Sequence, residues 1–240
     1  MTHSEQLIKE IMEQTDSTEE EVVAAMEEVK RKRAAGDELE SPWRGAFDNM
    51  FGGNDYPHYL PAEHVRKYTI RVTQKYIEPK IWRRIEVPSN TSLRLLADLI
   101  ISVMGWTNTH LNHFRKGFDT YYVPSHQREL DEENDVVMHY NQETFSVEDV
   151  LSAPGRQIFL EYDFCDGWEL EVKLSYVKEY AEGEPRKVRF LAGERACPPE
   201  DCGGVVGYEK MCKRKSYDPE YLDLDYCKRV AEAFNEKLTV

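Results

Sequence analysis

Tyr68-Thr-Ile-Arg-Val-Thr73, Ile81-Trp-Arg-Arg-Ile-Glu-Val87 and Ser92-Leu-Arg-Leu-Leu-Ala-Asp-Leu-Ile-Ile-Ser-Val-Met-Gly105 decide the fold. The first two alternate apolar and polar residues and are rich in β-branched side chains, the pattern of a strand with one buried face. Glu78-Pro79 marks a turn between them, and Pro88 ends the second strand because it has no amide to give to a ladder. In the third segment Leu93, Leu96, Ile100 and Val103 recur at helical spacing. Ser92 is placed to cap that helix, and Gly105 sits where a left-handed residue would stop it. A hairpin followed by a helix therefore opens the main domain.

Outward from this unit, strands are expected at 111–118, 120–123, 157–164 and 168–177, with a shorter one at Val188–Leu191. Helices are expected at 147–152 and 208–215, and a longer closing helix, begun by Asp218-Pro219 or by Asp225, should end near Lys237. Strands and helices mix without regular βαβ alternation. The fold class is thus α+β, a mixed or largely antiparallel sheet with packed helices.

The N-terminal sixth reads differently. Residues 1–40 carry 12 acidic and 5 basic side chains, or −7, half of the chain's net charge of −14. Ser4 and the Thr18/Glu21 capping box start two helical patterns, giving an N-terminal helical hairpin appendage. The cluster Lys30-Arg-Lys-Arg33 complements the C-terminal end of the second helix dipole. Two helices this short bury little alone, so this acidic arm is expected to meet a protein partner, dimerise or dock on the main domain. Residues 41–65 punctuate the chain with Gly and Pro among Trp43, Phe47, Phe51, Tyr56 and Tyr59, as a linker lying partly against a surface. The main domain then spans 66–240.

Composition narrows the function. The excess of 45 acidic over 31 basic residues opposes attraction to phosphate backbones, so a nucleic-acid partner is disfavoured. No apolar run approaches the roughly 20 residues needed to cross a bilayer, and the N-terminus has no signal-peptide pattern, so a cytoplasmic protein without membrane contact is expected. Five cysteines without a CxxC pair fit a reducing compartment better than a disulfide framework. Walker, nucleophile-elbow, zincin and dinucleotide-binding motifs are missing, so neither nucleotide nor flavin has a signature here.

Three segments concentrate chemistry: Gly105-Trp-Thr-Asn-Thr-His-Leu-Asn-His-Phe114, Tyr162-Asp-Phe-Cys-Asp-Gly-Trp168 and Cys197-Pro-Pro-Glu-Asp-Cys-Gly-Gly204. Asp163 can bond the amides of its own turn, with Gly167 supplying positive φ. Alternatively Asp163, Asp166, Glu200 and Asp201 converge as oxygen ligands for a divalent metal, with His110 or His113 favouring a transition metal. Trp82, Trp106 and Trp168 read as core or rim anchors. Arg83 and Arg84, adjacent on a strand, should point to opposite faces, at least one solvated or paired with a carboxylate, and offer an anion site. Glu200 and Asp201 would raise the thiol pKa of Cys197 and Cys202, which argues against cysteine catalysis.

Together with Ile81-Trp-Arg-Arg84 and the downstream Tyr217-Asp-Pro-Glu-Tyr-Leu-Asp223, these motifs in this order resemble the plasmid pRiA4b ORF-3-like family over about residues 66–235. That resemblance implies an α+β fold, the company of plasmids and mobile elements, and no established activity. The family pattern has glycine where Cys165 stands and histidine where Leu170 stands. The expected function is a non-enzymatic interaction module whose face comprises His110, Asp163, Asp166, Trp168, Glu200 and Asp201. The alternatives are a metal-dependent hydrolase or nuclease-like enzyme using those carboxylates, and a DNA-associated regulator.

Overall fold

In the computed structural model, Thr18 and residues 65–117, 120–126 and 138–239 are described. The helical pair expected over 1–40 and the linker expected over 41–65 lie, Thr18 and Val65 apart, outside the described residues. Strand β1 (Lys67–Gln74) pairs antiparallel with β2 (Trp82–Pro88), in the register Ile70 opposite Ile85. Tyr68, Ile70 and Val72 of β1 and Ile85 and Val87 of β2 are fully buried on one face, as the alternation demands. Helix α1 (Leu93–Met104) follows. The Ser92 side chain accepts from the Leu95 amide at 3.2 Å, and Gly105 ends the helix at φ 102°. The opening unit is therefore as expected.

Beyond it come β3 (Asn112–Lys116), β4 (Thr120–Val123), β5 (Met138–Asn141), α2 (Val147–Val150), β6 (Gln157–Tyr162), β7 (Trp168–Lys178) and β8 (Arg189–Glu194). Helices α3 (Gly204–Cys212) and α4 (Leu224–Phe234) close the chain, with a final 3-10 turn at Asn235–Thr239. The eight strands form one sheet in the order β5-β4-β3-β6-β7-β1-β2-β8, antiparallel throughout except for the parallel pair β4–β5. An α+β fold with a largely antiparallel sheet is thereby present. None of the described helices is long and apolar enough to cross a membrane.

The core explains why α1 is apolar nearly all round. Leu93, Leu96, Leu99, Ile100, Ile101 and Val103 are all buried, which a helix with only one covered face would not require. They share the cluster with inward residues Ile158, Leu160, Leu170, Val172 and Leu174 of β6 and β7 and with Cys227, Ala231 and Phe234 of α4. Helix α4 packs against both α1 and β8. Burying a Leu or Ile side chain contributes roughly 1.5–3 kcal/mol, so α1 is held by tertiary contacts more than by its own propensity.

Some boundaries differ from expectation, each for a local reason. Strand β5 was not anticipated: it is four residues long and gains its definition from pairing Tyr140 beside Tyr122. Helix α3 starts at Gly204 rather than at Tyr208. Gly203 and Gly204, at φ 89° and 65°, bring the chain into it, and a Cβ at Gly204 would lie 2.7 Å from the Asp166 carbonyl oxygen. The closing helix is capped by neither proposed residue but by Asp223, which accepts from the Tyr226 amide at 2.8 Å. Arg83 and Arg84 do point apart, yet Arg83 is 1% exposed and meets no carboxylate. Its guanidinium donates to the carbonyls of Val103, Trp82 and Glu194, so it serves as a pin between the α1 C-terminus and the β2–β8 pair.

Candidate functional site

Three motif segments leave the sheet and α1 at one place and interlock. Gly105 turns the chain out of α1, and the next residue, Trp106, goes back into the core at 3% exposure. Its ring stacks on Tyr162 at 5.0 Å and on Trp168 at 6.1 Å between centroids. Its indole N–H donates to the Pro198 carbonyl at 2.8 Å, which ties the 105–114 segment to the Cys-Pro-Pro loop. Glu200 completes this tie. One carboxylate oxygen accepts from the Thr107 amide at 3.1 Å and from the Tyr162 hydroxyl, while the other accepts from the Thr107 hydroxyl.

These contacts set the protonation states. Burial pushes the Tyr162 phenol up, and the anionic Glu200 beside it adds to the rise, to about 12. Burial also pushes the Glu200 carboxyl up, but the bonds from Thr107 and Tyr162 outweigh it and hold the group below its ordinary value. Glu200 is thus a carboxylate that accepts three hydrogen bonds from within the protein. Thr107 and Tyr162 lie within the quoted motif segments but were not among the expected site residues, since nothing in the sequence pairs either with Glu200.

The Asp163 turn is built as its sequence demands. Asp163 is 2% exposed with φ 55°, and its Oδ1 accepts from the amides of Cys165 and Asp166 at 3.2 and 3.3 Å. Gly167, at φ 66°, donates its amide to the Asp163 carbonyl at 2.6 Å. Asp166 then reaches across the gap, accepting from the Gly203 amide at 3.2 Å. Gly207 closes the opposite side of this loop so tightly that an added Cβ would stand 1.8 Å from the Cys202 carbonyl oxygen.

His110 lies between two carboxylates. Its Nδ1 is 3.7 Å from Asp163 Oδ1 and its Nε2 is 3.5 Å from Asp201 Oδ1. One ligand atom from each of His110, Asp163 and Asp201 falls within 4.8 Å of the others. The imidazole is 28% exposed and Asp201 78%, so the group opens to solvent on the Asp201 side. Asn108, Asp163 and Asp201 all hold positive φ. Asn and Asp tolerate that region best among residues with side chains, and such backbone is typical of functional loops.

The six expected face residues therefore divide. His110, Asp163 and Asp201 come together; Asp166 and Glu200 are close in the fold but turned to Gly203, Thr107 and Tyr162. The expected four-carboxylate metal set does not form as one cluster among the described residues. Trp168 is 0% exposed and belongs to the core beneath the loops, not to their surface, because inward alternation on β7 carries it there. His113, on β3, instead faces Glu161 at 3.3 Å and the Phe164 ring at 5.0 Å. Burial is the main reason the thiols are raised: Cys197 lies far above the ordinary range, and Cys202 is pushed up to about 11, with Asp166 as a further cause. The acidic neighbours expected to raise them, Glu200 and Asp201, are not the principal cause.

A family model for plasmid pRiA4b ORF-3-like proteins matches residues 66–238. The chain belongs to that family. The uncharacterized protein y4hQ of Sinorhizobium fredii is 31% identical over 145 residues, covering 60% of this chain and 70% of that protein. The crystal structure of a protein of unknown function from Methanosarcina mazei Go1 superposes with a TM-score of 0.57 at 29% identity, over 68% of this chain and 96% of the other. Both departures from the pRiA4b ORF-3-like pattern have a place in the structure. Cys165 is exposed on the Asp163 turn, and Leu170 is fully buried on β7, within the core. No imidazole thus stands at 170 to join His110.

Proposed function

We propose that this pRiA4b ORF-3-like domain is a non-enzymatic, cytoplasmic interaction module whose docking face is the surface of segments 105–114, 163–168 and 197–208. The observation that supports it is the fate of the polar groups. Asp163, Asp166 and Glu200 are consumed in shaping the loops, and the two thiols are held protonated, while apolar Leu111, Phe164 and Val206 are 43%, 42% and 62% exposed on the same segments. Rigid loops that present apolar groups beside an exposed Asp201 fit a protein partner with a basic and an apolar side chain. The acidic segment 1–40 is proposed as the second contact with that partner, and plasmid or mobile-element encoded proteins are the natural pool in which to seek it. Photo-crosslinking from position 164 or 206 in cells should give one discrete adduct that Phe164→Asp or Val206→Asp removes without lowering the melting temperature. Adducts that persist in both variants would reject the face; binding that survives deletion of 1–40 would reject the role of the arm.

A second reading rests on the His110–Asp163–Asp201 group. One imidazole nitrogen and two carboxylate oxygens within 4.8 Å offer a mixed donor set suited to Mn²⁺ or Zn²⁺ more than to Mg²⁺, and a hydrolytic role would follow from a metal-bound water. Metal analysis and thermal shift with Mn²⁺, Zn²⁺ and Mg²⁺ decide it: stabilisation lost in His110→Ala supports this reading, and no shift by any ion rejects it.

A further inference from the structure

Alternate residues of β1, β2 and β7 face away from the core, and there they set three cations in a row. Arg71 pairs across the ladder with Arg84 on one side and with Lys173 on the other. Adjacent strands stand about 4.8 Å apart, so like charges placed this way repel unless something neutralises them. Among the described residues no carboxylate forms an ion pair with any of the three. Arg71 uses only its Nε, donating to Thr73 Oγ1 at 3.4 Å, which leaves the four N–H groups at the end of its guanidinium fork. The buried Nε of Arg84 has no hydrogen-bond partner. Both guanidinium groups lie over the Trp82 ring, Arg71 at 4.2 Å and Arg84 at 5.5 Å from its centroid.

Arg71 and Trp82 also line a groove of about 450 Å³ whose far wall is Leu222 and Leu224. This is within the size range of small-molecule sites. Of the other charged groups in the groove, Arg195 donates to Glu220 at 2.8 Å and Lys80 pairs with Glu78 at 2.6 Å, while the Glu194 carboxylate accepts the Trp82 indole N–H at 2.9 Å and keeps its charge. Among the described residues, Arg71 is the cation of this groove with no carboxylate paired to it.

We propose that this groove binds a small organic anion, its oxyanion group on the Arg71 guanidinium and its planar apolar body against Trp82, Leu222 and Leu224. Planar guanidinium forks suit carboxylate and phosphate alike, so the shared chemistry is an oxyanion carried on an apolar ring. The anion would also relieve the repulsion along the Arg84–Arg71–Lys173 row.

The test titrates the full chain with phenyl phosphate, benzoate, inorganic phosphate and phenol, reading affinity by ligand-observed NMR and stability by thermal shift. One of the two aryl anions should saturate with a Kd of about 1 mM or tighter, and the tighter one identifies the oxyanion. Inorganic phosphate and phenol, each carrying half of the recognised chemistry, should bind at least about tenfold more weakly. Arg71→Gln should weaken the aryl anion by about tenfold or more while leaving the melting temperature unchanged or raised, since it removes the middle charge of the row. Leu224→Glu, at an exposed first position of α4 where an acid is tolerated, should weaken it to a similar extent without touching Arg71. His110→Ala should leave the affinity unchanged. Absence of saturation by either aryl anion at about 10 mM overturns the proposal, as does undiminished binding by Arg71→Gln or Leu224→Glu.

Discussion

Glu200 and Arg71 belong to the same domain and live under opposite conditions. Around Glu200, each oxygen of the carboxylate meets a donor from the protein, and the loops that carry Asp163 and Asp166 are closed by the same means. Around Arg71, three cations stand in register with no carboxylate paired to them among the described residues. Reactive residue types crowded in a motif are thus not the same thing as available chemistry. A polar group whose partners are all internal gives a loop its shape, and one without a carboxylate partner beside a groove is free to meet a ligand, as proposed for Arg71.

The contrast is broken most directly at Trp106. If the motif region is structural, Trp106→Ala should destabilise the domain by about 3–5 kcal/mol in denaturant unfolding, because it removes a buried ring stacked on two others. A loss below about 1 kcal/mol would mean that the loops do not depend on that anchor. Gly207→Ala comes next. With a Cβ 1.8 Å from a backbone oxygen, local backbone must move, and a loss of about 1–3 kcal/mol is expected from the midpoint of the same transition.

Glu200→Gln sharpens the comparison by removing charge and keeping shape. It should cost about 1–3 kcal/mol at neutral pH, since bonds to an ionised acceptor are stronger than their neutral counterparts. The pH profile should follow. Folding depresses the Glu200 carboxyl below its ordinary value of 4.5, so its contribution is complete above that value and fades as pH falls through the lower, folded one. Folding raises the Tyr162 phenol from 10.0 to about 12, so its contribution is intact below pH 10.0 and fades as pH rises toward about 12. Chemical denaturation across both windows should show both slopes, with the acid-side one reduced in Glu200→Gln and the alkaline one reduced in Tyr162→Phe. The smallest effect belongs to His110→Ala. Its imidazole is partly exposed and sits at 3.5–3.7 Å from its carboxylates, so stability should change by less than about 0.5 kcal/mol. A larger loss would place His110 with the structural groups and remove the open side of the motif region.

The sequence was most legible where one period dominated. The β1–β2 alternation and the α1 stripe follow from which side chains must leave water, and their caps follow from Ser92 and Gly105. It was least legible in α3, where the glycines of Gly203-Gly-Val-Val-Gly207 read as loop but are required by backbone approaching Asp166 and Cys202. Strand β5 was missed because a four-residue edge strand carries too little pattern to stand apart from its surroundings. In the motifs, the Asp163 turn was readable since Asp, Gly and their spacing act locally. The partners of Glu200 were not, since Thr107 and Tyr162 lie 93 and 38 residues away.

By itself, then, the sequence determined which faces are buried, where the turns fall, and, through the order of its motifs, the family to which the chain belongs. Only the tertiary structure decided which acids are spent. It turned Glu200 inward, set His110 between Asp163 and Asp201, placed Trp168 under the loops and lined up Arg84, Arg71 and Lys173. The physical reason is that burial and turn preferences are properties of neighbouring residues, whereas a charge's free energy depends on who stands opposite it across the fold.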